Sequence, residues 1–77
     1  MPKNDRNRDQ ERARAELVAT MLEKVKEDPY PSTTMLDLIE ELLTPQETPE
    51  YVMFLLDRLR SERFPSIPML QRLTALI

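Results

Sequence analysis

Apolar residues gather in four stretches, and within each they recur three and four positions apart. The first holds Leu17, Val18, Met21, Leu22 and Val25, and the second Met35, Leu36, Ile39, Leu42 and Leu43. The third holds Val52, Leu55, Leu56 and Leu59, and the fourth Met69, Leu70, Leu73, Leu76 and Ile77. That spacing places each set on one face of a helix. The pattern predicts an all-α chain of four helices.

The stretches are not independent. Displaced by 34 residues, segment 16–43 aligns without a gap on segment 50–77, and eight positions are identical. These are Glu16/Glu50, Val18/Val52, Leu22/Leu56, Pro31/Pro65, Ser32/Ser66, Met35/Met69, Leu36/Leu70 and Leu42/Leu76. Nine further pairs keep their chemistry, among them Met21/Leu55, Lys24/Arg58, Tyr30/Phe64 and Ile39/Leu73. The chain therefore reads as two tandem helix-turn-helix hairpins, packed as a compact four-helix domain. Residues 1–15 form a charged extension, partly helical or disordered. Unit 1 spans 16–43, a linker covers 44–49, and unit 2 spans 50–77.

The turns carry the local signals. Asp28-Pro29-Tyr30-Pro31-Ser32 matches Glu62-Arg63-Phe64-Pro65-Ser66. A proline disfavours helical geometry in the residue before it, so Pro31 and Pro65 end the first helix of each hairpin. Ser32 and Ser66 suit the N-cap of the second, and Pro68 falls in the opening turn, where a missing N–H costs little. Tyr30 and Phe64 are expected to plug the ends of their hairpins. In the linker, Thr44-Pro45 and Thr48-Pro49 each pair a candidate N-cap with a first-turn Pro, and Thr44 with Glu47 has capping-box spacing. One short turn followed by a helix starting near Pro49 is the expected result.

Composition narrows the chemistry. Seventy-seven residues make one small domain with a thin core, and such chains often gain stability by self-association. The absence of Cys and His removes disulfides and any Cys/His zinc site. It also leaves a Ser or Thr nucleophile without an imidazole base. The absence of Gly removes phosphate-cradling glycine loops. Asp37, Glu40 and Glu41 share a helical face, but the second unit replaces them by Gln71, Thr74 and Ala75, so they read as a solvated face. No cofactor or metal is expected, and the chain is read as not an enzyme. No apolar run is long enough for a membrane span, and the charged first residues do not form a secretory signal, so a cytoplasmic setting is expected.

Charge is unevenly spread around a net −3. Residues 1–14 sum to +2 (five basic, three acidic), 15–29 to −2 (two, four), 30–50 to −5 (none, five) and 51–77 to +2 (four, two). Opposite patches of this kind steer partners or pair copies of one chain. Arg6, Arg8, Arg12 and Arg14 suggest a nucleic-acid-associated regulator as the alternative. Asp5, Asp9, Glu11 and Glu16 are interleaved with them, which would repel the same phosphates and makes nucleic acid the lesser expectation.

The duplication also shows where the units differ in bulk. Leu17, Ala19 and Thr20 of the first become Tyr51, Met53 and Phe54 of the second. On a helical projection Val52, Leu55, Leu56 and Leu59 cluster on one side, while Phe54 lies nearly opposite with Tyr51 and Arg58 beside it. Arg58 is placed to stack on the rings. A Phe outside the core stripe demands a cover, either the amino-terminal extension or a second protein chain. Tyr51, Met53, Phe54 and Arg58 are therefore the candidate protein-interaction residues. The expected function is a self-associating interaction module, a small adaptor or regulator, whose first partner is another copy of itself. The apolar end, Leu76-Ile77, is expected to pack.

Overall fold

A computed structural model describes residues 3–64 and 66–77, and among them every regular element is an α-helix. Helix α1 spans Lys3–Glu27, α2 Thr33–Leu42, α3 Thr48–Ser61 and α4 Ile67–Leu76. Helix α1 packs on α2, and α3 on α4, so the two sequence repeats are two helical hairpins. The chain divides into two compact units, Met1–Leu43 and Thr44–Ile77, with the linker residues belonging to the second.

The first hairpin buries Val18, Met21, Leu22 and Val25 from α1 against Leu36 and Ile39 from α2. These are the positions that the three-and-four spacing selects. The described part of the amino-terminal extension is continuous with α1, which runs without a break from Lys3. At 1.5 Å rise per residue α1 is about 37 Å long and α2 about 15 Å, so the start of α1 overhangs its partner. Residues 6–13 are accordingly exposed.

One side chain marks the point where α1 leaves α2. The Arg14 guanidinium donates to the Leu42 carbonyl from Nη1 at 2.8 Å. Its Nε and Nη2 donate to Glu11, at 3.0 and 2.6 Å. The last carbonyls of a helix lack intrahelical donors and carry the negative end of its dipole, so a guanidinium there satisfies both needs. The second hairpin has Thr48 at the matching position, and α3 only begins there.

The helix ends follow the sequence signals closely. Ser32 Oγ accepts from the Met35 N–H at 3.0 Å, and Ser66 Oγ accepts from the Met69 N–H at 3.3 Å. Each serine sits in extended geometry before its helix, as an N-cap requires. Pro31 is half-buried at the first turn, and its match, Pro65, lies outside the described residues. Helices α2 and α3 end without a left-handed residue. Leu43 and Glu62 turn the chain to extended geometry instead, and no described residue has positive φ.

The linker departs from expectation in one respect. The Thr44 N–H donates to Glu47 Oε1 at 2.9 Å, the backward half of a capping box. Thr48, however, is inside α3 and is not its N-cap; its hydroxyl donates to the Thr44 carbonyl at 2.9 Å. The preceding turn already satisfies this helix start, since the Thr48 N–H also bonds the Thr44 carbonyl. The threonine side chain is then free to bond backwards.

Candidate interaction surface

Helix α3 brings three of the four candidate residues together. The rings of Tyr51 and Phe54 lie 6.3 Å apart between centroids at an interplanar angle of 38°, within the range for favourable tilted aromatic pairs. Arg58 Cζ stands 5.4 Å from the Phe54 centroid, so the guanidinium covers that ring as its spacing indicates. Met53 projects elsewhere and is exposed.

Their burial corrects the projection. Phe54 is only 7% exposed and Tyr51 is fully buried, within a single chain. Neither ring is left waiting for a second chain. The projection took the four aliphatic positions as the core arc of α3. The structure buries Leu55 from that set and leaves Val52, Leu56 and Leu59 half-buried. The two rings join Leu55 at full or nearly full burial, and an aromatic ring removes roughly 150–250 Å² from water when buried.

The turn aromatics depart in the opposite direction. Tyr30 is 89% exposed and Phe64 84%, so neither plugs its hairpin. In the first turn the Tyr30 N–H donates to Asp28 Oδ1 at 2.9 Å, a local turn closed by the aspartate. With its backbone tied to Asp28 and its geometry restricted by Pro31, the ring points outward. The chain end is likewise not packed, since Ile77 is exposed while Leu76 is half-buried.

Exposed apolar side chains therefore collect in the second hairpin. Met53, Phe64, Ile67, Leu70 and Ile77 are all open there, against Leu17, Tyr30 and Leu38 in the first. Ile67, Leu70, Thr74 and Ile77 recur at three- and four-residue spacing along α4 and its cap, beside the buried face that Leu73 anchors. Sequence reasoning missed this strip because it assigned Leu70 and Ile77 to the core by analogy with the first hairpin. Thr33, the first-hairpin counterpart of Ile67, was the available signal.

Elsewhere the chemistry is sparse. Among the described residues no group of three or more acidic side chains is placed to hold a metal ion, and Asp37, Glu40 and Glu41 form no such cluster. No described helix is long and apolar enough to cross a membrane. Of the amino-terminal arginines, Arg14 is engaged with Glu11 and the end of α2, while Arg6, Arg8 and Arg12 are exposed. Comparison with known protein families, with characterised proteins and with solved structures finds no match. The residues themselves carry the functional reading.

Proposed function

We propose that the protein is a non-enzymatic protein–protein interaction module, a small cytoplasmic adaptor or regulator that associates with copies of itself. The observation that carries this reading is the run of open apolar side chains in the second hairpin, Phe64, Ile67 and Leu70 within seven residues. Burying a large apolar side chain returns up to about 1.5–3 kcal/mol, in proportion to the part left open, so a run of such residues favours a partner. On α3, Met53 is exposed and Arg58 is half-exposed. Tyr51 and Phe54 are buried as a tilted pair, and Arg58 lies over the Phe54 ring.

Solution mass by light scattering across a concentration series tests this reading. A dimer or larger species at micromolar concentration is the expected result. A monomer that persists into the high micromolar range would remove self-association from the function.

A further inference from the structure

The open strip of α4 fits one occupant better than others. Its length of exposed apolar surface is contained in Ile67, Leu70 and Ile77, with Phe64 in the turn leading to it. At ~200 Å² for a large side chain, their exposed fractions leave roughly 500 Å² of apolar surface. A standard interface buries about 800 Å² per partner, of which somewhat over half is apolar, so the strip meets that requirement with an ordinary polar rim when Phe64 joins the contact.

Charge indicates which partner can lie there. Arg72 is the one charged residue from 67 to 77; it is half-buried, and helical spacing places it on the side of α4 away from the strip. Where a surface meets its own copy, charges near the two-fold axis face their own kind, and like charges so placed are costly. The α4 strip avoids that penalty. Helix α2 does not, because Leu38 is exposed between Asp37 and the Glu40-Glu41 pair, and a self-contact there would gather carboxylates from both copies.

We propose that α4 is a two-fold self-contact: the strip Ile67-Leu70-Thr74-Ile77 packs antiparallel on the same strip of a second copy. The inference rests on the self-association reading above and names its surface. Antiparallel apposition about the middle of the strip sets Ile67 against Ile77 of the other copy and Leu70 against Thr74. It also sets the opposed helix dipoles side by side, which parallel packing would not. Thr74 is the polar gap in an otherwise apolar row. Its hydroxyl donates to the Leu70 carbonyl of its own helix at 2.8 Å, so it needs nothing from the partner.

Two substitutions of opposite sign test the contact, each with the full chain and with helicity checked by far-ultraviolet circular dichroism. Thr74→Leu completes the apolar row and is expected to tighten dimerisation about tenfold or more, since each buried methylene adds a favourable increment. Leu70→Glu places a carboxylate in the apolar row opposite Thr74 of the second copy and is expected to shift the mass to monomer at concentrations where the unaltered chain is dimeric. Leu38→Glu on α2 is the matched control and is expected to leave the mass unchanged. A dimer insensitive to both α4 substitutions overturns the α4 contact while self-association stands. Loss of the dimer in Leu38→Glu alone does the same. An unaltered chain that remains monomeric overturns both.

Discussion

The two hairpins share sequence at matching positions and yet bury them differently. Leu36 is 1% exposed in the first, while Leu70, the same residue at the same place in the repeat, is 39% exposed in the second. Val18 and Leu22 are buried, and their identical partners Val52 and Leu56 are only half-buried. The difference goes with two of the three positions where the repeats changed bulk. Where the first helix of unit 1 carries Leu17 and Thr20, both exposed, α3 carries Tyr51 and Phe54, both buried. The buried arc of α3 runs through Tyr51, Phe54 and Leu55, so the rings extend it beyond the aliphatic row, of which Leu55 alone is fully buried. A repeat thus conserves its hairpin while the hydrophobic burden shifts from the shared positions to the changed ones. The residues released in the second hairpin become available as surface.

The largest effect should come from the residue that creates the difference. Phe54→Ala is expected to destabilise the protein by about 3–5 kcal/mol. Thr20→Ala, at the matching exposed position, should stay within about 0.5 kcal/mol. Urea unfolding followed by circular dichroism measures both, and similar costs for the two would show that the hairpins do not differ in the way described.

The shared leucines sharpen the contrast at constant chemistry. Leu36→Ala removes a fully buried side chain and should cost about 2–5 kcal/mol, whereas Leu70→Ala, at a side chain 39% exposed, should cost less, about 1–2 kcal/mol in the monomer. Equal shifts in the urea midpoint would mean that Leu70 is buried as deeply as its twin.

The smallest effects belong to features the hairpins have in common. Ser32→Ala and Ser66→Ala each delete one N-cap hydrogen bond and should each cost about 1 kcal/mol. The thermal midpoints of the two variants should fall by comparable amounts. A clear inequality would place a further difference in the turns themselves.

Much of the architecture was readable in advance because it depends on local rules. Apolar spacing located four helices, proline restriction and serine capping located the turns, and the spacing of Thr44 and Glu47 anticipated their hydrogen bond. The stacking of Arg58 on Phe54 was also legible, since i and i+4 are neighbours on any helix. What resisted sequence reading depends on competition between side chains for the interior. A helical projection counts apolar positions equally and cannot weigh two rings against four aliphatic groups. The outward Tyr30 and Phe64 resisted for a similar reason: proline fixes the backbone but not whether the interior has room for a ring. The hydrogen bond from Arg14 to Leu42 spans 28 residues, and no local pattern announces it.

The chain turns every described corner without a left-handed residue, and it contains seven prolines and no glycine. The consequence falls on the denatured ensemble. Glycine widens the set of conformations an unfolded backbone explores, and proline narrows it. Fixing a residue costs about 1–2 kcal/mol of conformational entropy, so a stiffer unfolded chain has less to lose at each corner. For a protein with so thin an interior, part of its stability resides in what the unfolded chain cannot do, and introducing glycine at the exposed Glu62 would return that freedom without disturbing a buried contact.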